Sequence, residues 1–331
     1  MPLSNQLASV DLGSNSFRLH IVRVDEDQIY PLDTIKDSVR LAAGLLPDGA
    51  LDEESKARAM QSFAGFAERL RGMPAESVRV VATNTLRIAK NIEDFLLEAQ
   101  ACLGYPIEII AGSEEARLIY IGAAHSLPPS SDKRLVVDIG GGSTEFIIGH
   151  HYEPQRLESL QMGCVSYTRR FFADGKISKS YFKQAELVAG ITLEPIANSY
   201  GRTAWQQAIG TSGTARSICE VLIANGWAKD SITREGLAQL RQHAIQVGSI
   251  EKLQLPGLRA DRQPVLAGGL AIMQSVFDAL GIEEMQITHG ALRDGVLYDL
   301  LGRHLHNDSR DLTVVQVQRR YQVDLAQAAR V

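Results

Sequence analysis

One pattern occurs twice in this chain. "ASVDLGSNSFRLHIV" (8–22) and "LVVDIGGGSTEFIIG" (135–149) place Asp11, Gly13 and Ser16 at the same relative spacing as Asp138, Gly140 and Ser143, 127 positions apart, with apolar runs on either side. An internal duplication explains the match, and a repeated unit constrains a fold more than any local propensity does. The element order agrees. In the first half, the pattern predicts strands near 6–12, 17–24 and 28–40 and a helix near 52–71. A strand (77–82), a helix (91–103), a strand (106–110) and a helix (113–125) follow. In the second half, strands near 134–139, 144–149 and 152–161 precede helices near 165–172 and 178–199. Then come a strand (205–210), helices within 213–280, a strand (284–288) and a helix (290–303).

Alternating strands and helices imply a largely parallel sheet covered by helices, and the hairpin opening each half adds antiparallel strands. The expected architecture is α/β: two actin-like (ribonuclease H-like) lobes, a duplicated βββαβαβα core, and a cleft between the lobes where ligands commonly sit. "HSLPPSSDKR" (125–134), rich in Pro and Ser, is the natural joint. Lobe I is expected over 1–126 and lobe II over 127–303. Residues 311–331, "DLTVVQVQRRYQVDLAQAARV", read as one or two amphipathic helices without a partner face. Residues 304–331 are therefore expected to start a truncated C-terminal helical domain. The alternative is a short terminal helix docked on a lobe.

Composition narrows the function classes. Among 331 residues, 45% are hydrophobic and 22% charged, which is ordinary for a globular protein. No apolar run reaches bilayer length, so no membrane insertion is expected. The N-terminus lacks a basic region followed by an apolar core and a cleavage site. Cys102, Cys164 and Cys219 show neither disulfide nor zinc spacing, and a cytoplasmic location with buried thiols is the expectation. The net charge of −5 gives no global attraction to nucleic acid. A polyanionic partner would need a local basic groove.

The glycine turns carry the chemistry. A hairpin with glycine at its tip exposes backbone N–H groups that form a concave anion site, and Gly140, Gly141 and Gly142 would let a phosphate approach the main chain. Ser143 and Thr144 add hydroxyls, while Asp138 and Glu145 offer hard carboxylate ligands for Mg²⁺. The twin turn presents Asp11, Gly13, Ser14, Asn15 and Ser16 from the facing lobe. Neither turn is followed by Gly-Lys-Ser/Thr, and "GGGS" does not match the dinucleotide fingerprint. A third anion candidate is "AIGTSGTARSI" (208–218), where a strand runs through Ser212 and Gly213 into a helix N-terminus.

Together these segments resemble a known family. "DLGSNSFRL", "VATNTLR", "GSEEARLIYIG", "DIGGGSTEFIIG", "MGCVS", "GTSGTARSI" and "HGALRDGVLYDLL" occur in the order and spacing of the exopolyphosphatase/guanosine pentaphosphate phosphohydrolase family, from residue 7 to about 310. The resemblance implies release of terminal phosphate from inorganic polyphosphate, or of the 5′ γ-phosphate from guanosine pentaphosphate. It also implies Mg²⁺ as cofactor, with a monovalent cation as a second candidate, and a homodimer. By resemblance Glu115 is the catalytic base, Asp138 binds metal with Glu145 beside it, Gly140 and Ser143 contact phosphate, and Arg87 binds phosphate. Longer members append a helical domain whose first helix resembles 311–331. Arg18 departs from the family pattern, and the sequence assigns it no role.

Apart from the family, each residue has a plainer reading. Ser113 could cap a helix whose dipole Glu114 and Glu115 complement. Adjacent helical residues point about 100° apart, so only one of these glutamates is expected to face the cleft. Arg87 could be a solvated arginine at a helix start, and His289 reads as a satisfied core histidine. Three functions fit the fold: a phosphohydrolase, an ATP-dependent small-molecule kinase, and a nucleotide-binding structural protein. The "GSEEARLIYIG" segment favours the first.

Overall fold

A computed structural model describes residues 5–25 and 28–304. The first half builds β1 (Gln6–Leu12), β2 (Phe17–Asp25), β3 (Gln28–Asp37), α1 (Glu53–Leu70), β4 (Val78–Ala82), α2 (Asn84–Ile88), α3 (Glu93–Leu103), β5 (Ile107–Ile109) and α4 (Gly112–His125). The second builds β6 (Arg134–Ile139), β7 (Thr144–His150), β8 (Glu153–Leu160), α5 (Cys164–Phe171), α6 (Lys179–Ala197), β9 (Gln207–Thr211) and α7 (Ser212–Ala224). It continues through β10 (Ile232–Thr233), α8 (Arg234–Val247), α9 (Leu266–Leu280), β11 (Glu284–Ile287) and α10 (Leu292–His304). The expected tail helices at 311–331 lie outside the described residues. So does most of the 304–331 segment.

The duplication is explicit in the strand order. The first sheet runs β3-β2-β1-β4-β5 and the second β10-β11-β9-β6-β7-β8. Without the two-residue β10 they are the same sheet: three antiparallel strands, then two parallel ones. The fold is α/β with actin-like lobes. Strand burial follows position. Every residue of the central strands β4 and β6 is buried, whereas the edge strand β8 is mostly exposed or half-buried.

Local chemistry sets the helices. Asp52 caps α1 by accepting from the Ser55 N–H at 2.7 Å, and Ala59, Phe63, Phe66 and Leu70 then turn one buried stripe to the sheet. Thr233 caps α8, and Gly248 ends it in left-handed backbone. The sequence pattern missed α2, a single helical turn, and β10. Both are too short to carry a period.

The two halves exchange their last helices. From the first half, α4 packs on β7 and β8. From the second, α10 packs on β1, where Leu297, Leu300 and Leu301 meet Leu7 and Val22. The two helices also cross each other, and their shared core joins Ile119 and Ala123 to Val136, Ile147, Ile209 and Val296. The first turns of both helices therefore open onto the space between the sheets.

Candidate active site

The two glycine hairpins converge. A Cβ on Gly141 would lie 2.9 Å from Ser14 Cβ and 3.2 Å from Asn15 N, so the tips touch. At Gly142 a Cβ would meet Asn84 Oδ1 at 2.3 Å. Neither glycine has left-handed backbone. The glycines at 141 and 142 are thus required first by the approach of the facing lobe, where the sequence suggested the approach of a phosphate.

Beneath the tips lies a cavity of about 100 Å³, lined from both lobes. The first lobe contributes Asp11, Gly13, Ser14, Asn15, Ser16 and Glu115, and the second Asp138, Gly140, Gly141, Ser143, Glu145, Ser212 and Gly213. Three of the expected residues stand outside the lining. Thr144 is fully buried and gives its hydroxyl to the Met162 carbonyl at 2.6 Å. Gly142 backs onto Asn84. Arg87, on α2, reaches Glu115 Oε2 at 3.2 Å and the Ile110 carbonyl at 2.7 Å. It holds the glutamate from behind.

Four carboxylates face the cavity: Asp11, Glu115, Asp138 and Glu145. Burial raises the pKa of Asp11 to about 6, opposed by Arg18 and Arg293. Burial likewise raises Asp138 to about 6, opposed by the Ser212 hydroxyl, which donates to Oδ2 at 2.6 Å. Glu145 goes to about 8 through burial and the neighbouring Asp138, although Ser159 donates to its Oε1 at 2.8 Å. Glu115 rises well above the usual range through burial and the Glu145 charge, with Arg87 opposing. Only one of the adjacent glutamates faces inward, as helix geometry requires. Glu114 turns away and takes a bidentate pair from Arg117 at 2.7 and 2.8 Å. Ser113 does not cap α4. The cap position is Ala111, which offers no side-chain bond, and Gly112 at the first turn leaves room for Ser159.

The positive side of the cavity is Arg18, Arg216, Arg262 and Arg293. The register explains Arg18. It stands opposite Asp11 across the first hairpin, as Glu145 stands opposite Asp138 across the second. The repeat thus places a cation where its twin places an acid, and burial lowers the Arg18 pKa to about 10. The other three arginines escaped the sequence reading. Arg216 and Arg293 lie inside "GTSGTARSI" and "HGALRDG", one helical turn or less past helix starts, so the motifs held the signal. Arg262 had none. Its guanidinium rests on Gly213, where a Cβ would meet Nη2 at 2.0 Å. His289 is exposed rather than buried in the core, because it lies in the turn between β11 and α10.

Ser212 is the one cavity residue with left-handed backbone, at φ 63°. This sharp strand-to-helix turn carries its hydroxyl onto Asp138, at a strain typical of functional sites. The other Asp138 oxygen, Oδ1, is buried with no hydrogen-bond partner. A buried orphan carboxylate oxygen suits a cation ligand. Among the described residues no three His, Cys, Asp or Glu side chains gather to hold a metal by themselves. Mg²⁺ keeps waters and takes one or two carboxylates plus phosphate oxygens. Asp138 and Glu145 fit it.

Buried acids facing arginines across an interlobe cavity, on duplicated sheets, define a protein built to handle phosphate groups. Residues 20–304 match the Ppx/GppA phosphatase family, and the chain belongs to it. Among solved structures, it resembles an exopolyphosphatase-like protein at 26% identity and TM-score 0.79, over 91% of this chain and 98% of that one. An exopolyphosphatase from Cytophaga hutchinsonii aligns at 24% identity and TM-score 0.80, over 89% and 97% of the two chains. The Aquifex aeolicus PPX-GPPA enzyme aligns at 24% identity and TM-score 0.72, over 88% and 98%. The last two likenesses speak to fold.

Proposed function

We propose that the chain releases terminal orthophosphate from inorganic polyphosphate by attack of water, with Glu115 as general base. The observation that carries this is the convergence of Glu115 with both hairpin tips and four arginines around one cavity. Phosphoryl transfer needs positioning and charge stabilisation more than covalent chemistry. Arg18, Arg216, Arg262 and Arg293 supply positive charge to phosphate oxygens, and the turn amides of Gly141 and Asn15 supply hydrogen-bond donors. Glu115 accepts the proton of the attacking water. Its high pKa makes it a strong base once ionised, and Arg87 fixes its orientation. Mg²⁺, held by Asp138 and Glu145, would neutralise charge on the phosphate oxygens and leaving group.

Guanosine pentaphosphate hydrolysis at the same site is the second reading. Four arginines face the cavity and Lys36 and Arg259 stand beside it, and such a run of cations suits a run of phosphates. That favours polyphosphate. Orthophosphate release is to be followed from long-chain polyphosphate, guanosine pentaphosphate and ATP with Mg²⁺. Polyphosphate is expected to have the highest kcat/KM, and ADP formed only with an added acceptor would point to a kinase. Glu115→Gln is expected to keep polyphosphate binding and lose about 10²–10⁴-fold in turnover. Near-normal turnover would remove Glu115 from the chemistry.

A further inference from the structure

Beside the cavity, one acid stands among cations. Asp261 accepts from Lys36 Nζ at 2.6 Å and, in a bidentate pair, from Arg259 Nε at 3.1 Å and Nη2 at 2.9 Å. Arg262 Nε lies 3.9 Å from the same Asp261 Oδ2 that Lys36 holds. Three cations surround one carboxylate, so the group carries an excess of positive charge. It spans the cleft: Lys36 comes from β3, and the others from the loop before α9. It also adjoins the cavity, because Arg262 belongs to both. Burial, with Arg262 and Arg18 nearby, lowers the Lys36 pKa despite its bond to Asp261. The Arg259 and Lys36 bonds hold Asp261 well below the usual carboxylate range.

A fork of guanidinium donors plus a lysine is phosphate-binding chemistry. We infer that Lys36, Arg259 and Arg262 form a second anion subsite, filled in the free protein by the chain's own Asp261, that takes phosphate units trailing the one in the cavity. This rests on the phosphohydrolase reading above. A chain long enough to reach the subsite must displace the Asp261 carboxylate, so Asp261 works against long substrates while Lys36 and Arg259 work for them.

Orthophosphate release from tripolyphosphate and from long-chain polyphosphate, with Mg²⁺, tests this in Lys36→Ala, Arg259→Ala and Asp261→Asn. The ratio of KM for the long chain to KM for tripolyphosphate is expected to rise about tenfold in each cation variant. In Asp261→Asn it is expected to fall severalfold. Lys36 and Asp261 also tie the lobes together, and a purely structural tie would move both variants in the same direction and both substrates equally. That result overturns the subsite. Binding of long-chain polyphosphate to the same variants on a Glu115→Gln background reads affinity without turnover, and Asp261→Asn is expected to bind tightest. A wild-type protein that releases no orthophosphate from either polyphosphate defeats the polyphosphate reading itself. Wild-type turnover with unchanged ratios in all three variants defeats the subsite alone.

Discussion

Asp138 stores free energy at the site. Its pKa is about 6 when folded, against about 3.9 in an unfolded chain, so the folded state favours the protonated form. Asp11 near 6 and Glu145 near 8 share that sign. A raised acid contributes stability that is complete below its unfolded pKa and is lost as pH rises through the folded one. The metal-free protein is therefore expected to lose Tm progressively between about pH 4 and pH 8. Added Mg²⁺ should flatten the decline, because it binds the ionised acids. Asp138→Asn should raise Tm at pH 8 and reduce the slope while impairing turnover. An identical slope in that variant, read by calorimetry across the pH range, would show that Asp138 is not the source. Turnover should depend oppositely on pH, rising as Glu115 loses its proton.

The pairing of α4 with α10 sets the site at the scale of elements. A Cβ on Gly295 would lie 1.7 Å from the Leu118 carbonyl, and one on Gly122 would lie 2.1 Å from the Ala291 carbonyl. The helices thus cross backbone to backbone. Glu115 sits in the first turn of one, and Arg293 in the first turn of the other. Any residue larger than glycine at the crossing must part the helices and move both side chains. Gly295→Ala is expected to lower stability by about 1–3 kcal/mol and kcat/KM by more than about tenfold. Gly65, in α1, faces open space, and Gly65→Ala should instead stabilise by about 0.5–1 kcal/mol with activity intact. Denaturant titration and steady-state kinetics on the two variants give the comparison. Equal effects would mean that the crossing does not govern the site.

Across the whole molecule, the exchanged helices are locked by a buried ion network. Asp299 on α10 accepts from Arg79 Nη1 on β4 at 2.8 Å and from Arg117 Nη2 on α4 at 2.6 Å, with its side chain 2% exposed. Arg79 continues to Glu108 at 3.0 Å. Removing the central acid leaves Arg79 with Glu108 and Arg117 with Glu114 but deletes two buried charge-assisted hydrogen bonds, which costs more than an exposed pair is worth. Asp299→Ala is expected to destabilise by about 1.5–3 kcal/mol in urea unfolding. A loss near that of a surface pair would mean that the network is not a lock. The bonds to the central acid join distant parts of the sequence: Arg79 and Asp299 lie 220 positions apart and Arg117 and Asp299 lie 182 apart.

The limits of the sequence follow from that separation. Asp11, Gly13, Asp138, Gly140 and Ser143 were legible because a hairpin turn and its flanking strands are encoded within some fifteen residues, and this chain encodes them twice. The order of elements along the chain followed from the same repeat, and the order of strands within each sheet came from the structure. Glu115 was singled out by a motif, and helix geometry allowed only one of the two glutamates to face inward. Arg262 was not legible, since nothing beside it in the chain says that its guanidinium will rest on Gly213. Nor was the reason for Gly141 and Gly142, which is the facing lobe, or the turn that leaves His289 exposed. The sequence by itself determined the two sheets, their hairpin tips and the acids they carry, because hydrogen bonding and side-chain alternation act over neighbours. Only the tertiary structure decided which arginines face those acids and which helices cross between the lobes, because close packing is settled by residues that meet only once the chain has folded.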